Sequence, residues 1–322
     1  MEQYVRPQPK PMTERQIEWM QERLFRESGP FYHLHTKPLE DDLIFKEEDE
    51  RRVALNLIAI TAKEFHIDIL AYALMSNHFH FIVKGELMDG LAFFNRMKKR
   101  LSNYFSRRGR VGVLEKVTVD DHTQPIASLT QLRNEIAYVV RNPYVVRTDV
   151  NPLAFPWCSG FLYFNPFLRS LMTKKPDELT YKEKRDITRS PKPELDSCFS
   201  VRDGMITPES FVNYKLVEKL FPNASKFVWW VLRNVEAQCE TATRMGERPN
   251  LNDDELYVTA RKICRSEFGY DGTKELPEQY RKELAVILKN SYGASNGQAA
   301  RIAKLDPRIV DDMFPMSSKR IR

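Results

Sequence analysis

An α+β domain followed by an all-α region is the fold that this 322-residue sequence predicts. Three observations carry that expectation. Between Pro30 and Ser170, short apolar runs with strand-like alternation exchange with longer segments of helical period. Residues 171–204 are charged and broken by prolines, the composition of a linker. Beyond them the apolar spacing is helical, and the chain carries no internal repeat or low-complexity tract.

The elements follow in order. Residues 1–29 form a polar, proline-bearing N-terminal extension with one helix from Thr13 to Glu27. In the domain spanning 30–170, FYHLHTK reads as a strand, Glu47 to Phe65 as a charged helix, and IDILAYAL and HFHFIVK as two further strands. A basic helix comes next. It is followed by LTQLRNEIAYVVRNP, where Leu132, Ile136, Val139 and Val140 give an amphipathic helix ended by Pro143. After the 171–204 linker, a helical segment over 205–245 comprises Pro208 to Leu220 and Ser225 to Thr241, with Phe227, Trp229 and Trp230 as a small core. The C-terminal domain, 246–322, contains a helix from Pro277 to Ser291, a turn at Gly293, a helix from Asn296 to Leu305 and a last helix from Arg308 to Phe314. Pro307 suits the first turn of that last helix. This succession resembles a helix-turn-helix, with Arg301, Lys304 and Arg308 as phosphate or base contacts. An ordinary three-helix bundle has the same pattern, and Asp311 and Asp312 weigh against DNA contact by the last helix.

The chemistry concentrates in Ala71 to Gly85. His78 and His80, two of only six histidines, are spaced to point the same way from an extended strand and to share one metal ion. The alternative is a pair decorating a solvated strand face. Tyr138 and Asn142, four residues apart, share a helix face, so a phenol and an amide oxygen are presented together, the amide as a third donor to such an ion. Tyr138 also reads as a core tyrosine of an amphipathic helix. His33, His35, His66 and His122 have no comparable constellation and are taken as structural or solvated, although His33 or His35 would approach the site if the first strand lay beside the one bearing His78. Tyr104, the main rival among thirteen tyrosines, has no amide one helical turn on and reads as packing or DNA contact.

Leu74-Met75-Ser76-Asn77-His78-Phe79-His80, then Tyr138, the Asn142-Pro143 step, and Phe155-Pro156-Trp157-Cys158-Ser159 together resemble the single-tyrosine HUH transposases, in their REP-associated tyrosine transposase branch. Phe31 to His35 and the Ile44-Phe45 pair resemble that family's first strand and turn, so the resemblance covers about residues 30–165. It implies a ferredoxin-like antiparallel sheet with helices on one side. It also implies cleavage and joining of single-stranded or hairpin DNA, with Tyr138 as the nucleophile that becomes 5′-phosphotyrosyl. His78, His80 and Asn142 would hold a divalent metal, Mg²⁺ or Mn²⁺. Two features depart from the family pattern: Ser76 stands where proline is commoner, and Arg110 to Thr123 lacks an aromatic-Gln step. The alternative function is a noncatalytic DNA-binding regulator that uses the C-terminal helix-turn-helix.

Charge fits a nucleic-acid partner through clustering more than through its total. Fifty Lys and Arg against 44 Asp and Glu give +6 and a pI of about 9.0. Arg96, Lys98, Lys99, Arg100, Arg107, Arg108 and Arg110 form the densest cluster, interleaved with Phe93, Phe94, Tyr104 and Phe105, which suggests phosphate neutralisation with base stacking. A solvated helix face over an apolar stripe accounts for the same pattern. The four cysteines are scattered, as in reduced cytosolic proteins. With no long uncharged apolar run and no apolar signal core, membrane insertion and secretion are not expected, and a cytoplasmic, nucleoid-associated location is. One nucleophile per chain makes a homodimer the simplest holder of two DNA ends, while a monomer suffices to nick and rejoin.

Overall fold

A computed structural model describes residues 12–39, 43–119, 123–146, 151–246, 251 and 253–315. The chain divides into two units, one running through Val140 and resuming at Leu153–Trp230, the other made of Arg141–Pro152 and everything from Val231 onward. His122 and parts of the expected N-terminal extension and C-terminal domain lie outside the described residues.

The first unit is built on a three-stranded antiparallel sheet in the order β1-β3-β2, from β1 (Phe31–His35), β2 (Asp68–Leu74) and β3 (Phe79–Lys84). Strand alternation sorts its side chains. Tyr32, Leu34, Tyr72, Leu74, Phe79, Phe81 and Val83 join the large core made with α2 (Glu48–Glu64) and α3 (Leu87–Arg107). Helix α3 approaches so closely at Gly90 that a Cβ there would lie 3.3 Å from Leu34 Cδ1. The opposite face carries His33, His35, His80, Ile82, Ala71 and Ala73, and α4 (Leu129–Val146) lies over it. Helices therefore occupy both faces, where the family resemblance implied one. The strand bearing the histidines begins at Phe79, so His78 stands at the end of the two-residue Ser76-Asn77 turn, whose Met75 N–H donates to the His78 carbonyl at 3.1 Å.

Helix α4 runs through Pro143 instead of ending there. Proline supplies no N–H to the carbonyl four residues before it, here Val139. The thiol of Cys158, fully buried, donates to the Val139 and Val140 carbonyls at 3.7 Å each. Burial pushes this thiol's pKa up to about 12, so it keeps its proton. Cys158 is held in place because the chain runs beside β2, with Leu74 N–H donating to the Trp157 carbonyl at 2.9 Å.

Neither the N-terminal extension nor the linker stands apart from this unit. Helix α1 (Glu14–Ser28) has a capping box of Thr13 and Gln16. The buried Arg133 of α4 bonds to Glu18 at 2.9 Å, to Gln21 at 2.7 Å and to the Leu220 carbonyl at 2.8 Å. Residues 171–204, expected as a linker, follow α5 (Pro166–Ser170) and form α6 (Tyr181–Thr188) and β4 (Val201–Arg202), paired with β5 (Met205–Ile206). Leu179, Ile187, Phe199, Val201 and Ile206 pack there with Ala59 of α2. The Asn56 side chain of α2 accepts from Ile206 N–H at 2.8 Å and donates to the Gly204 carbonyl at 3.3 Å. Helix α7 (Tyr214–Leu220) starts later than expected. The long helix expected from Ser225 is two, α8 (Ala224–Arg233) and α9 (Val235–Arg244), with Phe227 buried and Trp229 exposed.

The second unit adds α10 (Asp253–Ile263), α11 (Glu278–Tyr292), α12 (Asn296–Ala303) and α13 (Pro307–Met313) around a core that includes Leu256, Leu284, Leu288, Ala299, Ala303 and Val310. Gly293 closes α11 at φ 66°, Ser295 and Gln298 cap α12, and Asp306 caps α13. No described helix is long and apolar enough to cross a membrane.

Phe199 is 2% exposed, so Phe199→Ala is expected to cost about 3–5 kcal/mol and to lower the melting temperature in calorimetry. A melting temperature equal to that of the unmodified chain would return residues 171–204 to the status of a linker.

Candidate active site

The pairing of β1 with β3 assembles the site. In the observed register His35 stands opposite His80, and His33 lies two residues away on the same face. Ring centroids are 4.8 Å apart for His78 and His80, 5.3 Å for His33 and His80, and 6.2 Å for His35 and His80. Glu135 and Tyr138, three residues apart on α4, face this cluster. Tyr138 lies 5.8 Å from His80 and 6.5 Å from His33 between ring centroids. Tyr138 is 3% exposed and His80 is fully buried. Asn142, also buried, is one helical turn beyond Tyr138 on α4.

Neighbouring groups orient the rings. The Asn77 amide nitrogen donates to the Leu39 carbonyl at 2.9 Å, which turns its oxygen toward His78 Nδ1, also at 2.9 Å. An amide oxygen only accepts, so Nδ1 carries the proton and the lone pair of His78 is on Nε2. His33 Nε2 and His80 Nδ1 are 3.1 Å apart. His33 Nδ1 lies 3.5 Å from Glu135 Oε2, an ion-pair distance longer than a good hydrogen bond. The Gln131 side chain donates to Glu135 Oε1 at 2.9 Å. Burial, and then the proximity of His78, His33 and His35, hold the His80 pKa well below its usual 6.5, so this ring is neutral.

Sequence reasoning expected His78, His80 and Tyr138 together and left out Glu135, while it admitted His33 or His35 on the condition that the first strand lay beside the one bearing His78. His33 and His35, read as structural or solvated, are part of the cluster because β1 lies directly beside β3. Glu135 had one legible signal, its three-residue spacing from Tyr138. His66 is exposed at the end of α2, at φ 52°. Among the described residues, no three His, Cys, Asp or Glu side chains are arranged to hold a metal ion.

The basic stretch is otherwise engaged. Arg100 pairs with Glu64 at 2.6 Å and bonds to Thr61, Arg96 lies 3.8 Å from Glu64, and Arg108 pairs with Glu47 at 3.2 Å. Lys98 donates to the Glu115 carbonyl at 3.4 Å, and burial lowers its pKa. Lys99 and Arg107 are exposed. Phe93, Phe94 and Phe105 are buried in the core, and Tyr104 is 8% exposed with its hydroxyl accepting from Arg108 at 2.8 Å. These rings pack the protein and offer no stacking platform. In the second unit, Arg301 makes a two-pronged pair with Asp253 at 2.8–3.1 Å, Lys304 closes α12 in the left-handed region, and Arg308 is exposed. Asp311 accepts from the Asn296 amide at 2.9 Å.

No family model matches the sequence, and no curated protein matches it. A solved structure of a REP-associated tyrosine transposase bound to a REP hairpin is similar to this chain. The identity is 13%, covering 42% of this chain and 79% of the other, with a TM-score of 0.34.

The depressed His80 pKa gives a pH dependence of definite sign. Below pH 6.5 the unfolded chain takes up a proton that the folded ring refuses. The contribution is thus complete above pH 6.5 and is lost as pH falls through that value toward the folded pKa. Urea unfolding in metal-free buffer on either side of pH 6.5 should show the loss, and His80→Gln should shallow it. An identical slope in the variant would assign the effect to other groups.

Proposed function

We propose that the chain is a metal-dependent single-stranded DNA endonuclease and strand transferase of the transposase type, acting on hairpin or otherwise structured DNA through a 5′-phosphotyrosine. The observation that carries this reading is the convergence of His78, His80 and Tyr138, from a turn, a strand and a helix, on one buried face. The sequence resemblance assigns the same three residues to ligands and nucleophile.

In the proposed reaction the Tyr138 oxygen attacks the scissile phosphorus as its proton leaves. The P–O bond to the 3′ oxygen breaks, and that oxygen takes up a proton to become a free 3′-hydroxyl. One phosphodiester bond is exchanged for another, so a later 3′-hydroxyl can reverse the step without a nucleotide cofactor. His78 through Nε2, His80, and Asn142, which shares the Tyr138 face of α4 by its spacing, are the proposed holders of the ion. A divalent ion bound there would polarise the scissile phosphate and offset its charge. The donor set fits such an ion in kind: His80 is neutral, and the lone pair of His78 is on the nitrogen opposite its Asn77 contact. Between the two expected ions, imidazole donors favour Mn²⁺, since Mg²⁺ prefers oxygen. A homodimer would bring two tyrosines to two DNA ends, and Arg301, Lys304 and Arg308 are proposed as contacts of a helix-turn-helix made by α11 to α13.

The 3% exposure of Tyr138 favours a second reading, a DNA-binding regulator in which this tyrosine only packs. The two separate in one experiment. The full chain is incubated with a labelled pool of structured single-stranded DNAs in Mn²⁺, Mg²⁺ or chelator, then analysed by denaturing gel and mass spectrometry. The expected result is a metal-dependent adduct on Tyr138, abolished by Tyr138→Phe with DNA binding retained. Binding without an adduct in either metal would instead support the regulator.

A further inference from the structure

The last turns of α3, the outer side of α2 and residues 188–194 enclose a cavity of about 570 Å³. It lies on the α2–α3 side of the sheet, opposite the face that carries the histidines. Five cations line it: Arg100, Arg107 and Arg108 from α3, and Arg189 and Lys192 from the segment expected as a linker. Against them stand Glu64, already paired with Arg100 at 2.6 Å, and Glu194. Among the described residues, no carboxylate pairs with Arg107, Arg189 or Lys192. A concave surface lined by one sign of charge concentrates counter-ions, and guanidinium groups bind phosphate through paired hydrogen bonds.

The segment after α6 is shaped to bring its charges here. Arg189 closes α6 in the left-handed region, at φ 53° and ψ 27°, a backbone that favours glycine. Strain of this kind is retained where surrounding structure imposes it, and it clusters at binding sites. It brings the Arg189 guanidinium to 5.7 Å from the centre of the Tyr104 ring, against which that of Arg108 also lies, at 5.5 Å. The Tyr181 hydroxyl donates to the Pro191 carbonyl, and the Ser190 hydroxyl to the Lys192 carbonyl, at 3.0 Å each, which holds the turn in shape. Tyr104 is 8% exposed with two guanidinium groups on its ring, so the cavity offers charge and no stacking face for a base. A volume far above the about 30 Å³ of one water admits more than one phosphate group. Arg96, Arg100 and Arg107 follow at helical spacing on α3, so the row of cations continues beyond the cavity and suits an extended polyanion.

We infer that this cavity is a site for consecutive phosphates of a single-stranded DNA backbone, held by Arg107, Arg189 and Lys192 on the face of the sheet opposite Tyr138. The choice of DNA rests on the proposed function, and the preference for phosphate rests on the cavity itself.

The test measures binding by the full chain across a salt series, in chelator so that no cleavage intervenes. The probes are a fluorescent single-stranded oligonucleotide, an abasic strand of the same length, and tripolyphosphate as competitor. Arg189→Gly suits the left-handed backbone and removes the guanidinium without strain, while Arg107→Gln and Lys192→Gln remove exposed charges; circular dichroism checks folding. Each phosphate contact on a single strand contributes about 0.7 to the slope of log affinity against log salt. Each single variant is expected to lose about 0.7 from that slope and the triple variant about 2, equally for both strands, with weaker tripolyphosphate binding. An unchanged slope and affinity in the folded variants would overturn the inference. So would a loss confined to the base-bearing strand, which would mean that bases are read there, or a loss confined to tripolyphosphate, which would make a free polyphosphate the ligand. Adduct formation on Tyr138 is read separately in Mn²⁺. A slope change without an adduct rejects the nuclease and keeps the site, and an adduct with the slope unchanged rejects the site and keeps the nuclease.

Discussion

The register of β1 against β3, with His35 opposite His80, is the constraint on which the rest of the molecule depends. A one-residue slip would turn His33 and His35 into the core against α2 and α3 and push Tyr32 and Leu34 out of it. Each large apolar side chain so exposed forfeits about 1.5–3 kcal/mol, and the imidazoles would enter a wall of Phe79, Phe81 and Phe93 without polar partners. Apolar burial on one face thus fixes polar geometry on the other. The site face could not be assembled by the His78–His80 hairpin alone, because His33 and the ring contacts it brings arrive only with β1. Both sheet edges are also occupied: Ile126 N–H donates to the Phe31 carbonyl beside β1, and residues 157–158 run beside β2. That second edge carries Cys158, whose thiol lies 3.7 Å from the Val139 carbonyl that Pro143 leaves without an N–H.

Much of the framework was legible because its signals are local. The helices from Thr13 to Glu27 and from Glu47 to Phe65, the three strands and the C-terminal helices rest on patterns within a few residues, and the described elements follow these closely. The His-x-His spacing and the Tyr138 helix were legible for the same reason. Elsewhere the deciding partner is distant in sequence. Proline 143 reads as a helix end until Cys158, fifteen residues on, supplies a donor to a carbonyl that it leaves unserved. Residues 171–204 read as a linker because Leu179, Ile187, Phe199 and Val201 are diluted among charges, and packing with Ala59 of α2 and Ile206 collects them into a core. Glu135 reads as background, and the place of His33 and His35 stays conditional, because membership of the cluster depends on strand pairing and on how α4 lies over the sheet. The general statement is physical: periodicity reports which face of an element is apolar, and does not report which element meets it.

The basic stretch of α3 shows how magnitudes separate two readings that a sequence runs together. Cations interleaved with aromatics suggested phosphate contact and base stacking at once, yet the two residue types stand in different energetic positions. Arg96 and Arg108 pair with Glu64 and Glu47 at the surface, where such pairs contribute about 0–1 kcal/mol. A DNA phosphate can replace those carboxylates at little cost, and Lys99 and Arg107 are exposed already. Recruiting Phe93, Phe94 or Phe105 as a stacking surface would instead mean withdrawing each from the sheet core, at about 1.5–3 kcal/mol of burial per ring before any cavity is counted. Stacking on a base returns about 1–3 kcal/mol, which at best cancels that cost. The fold therefore leaves cations on the surface of α3 and commits its phenylalanines to the core. Under the proposed function, a strand lying along α3 would meet these cations through its phosphates, in contacts that do not distinguish one base from another.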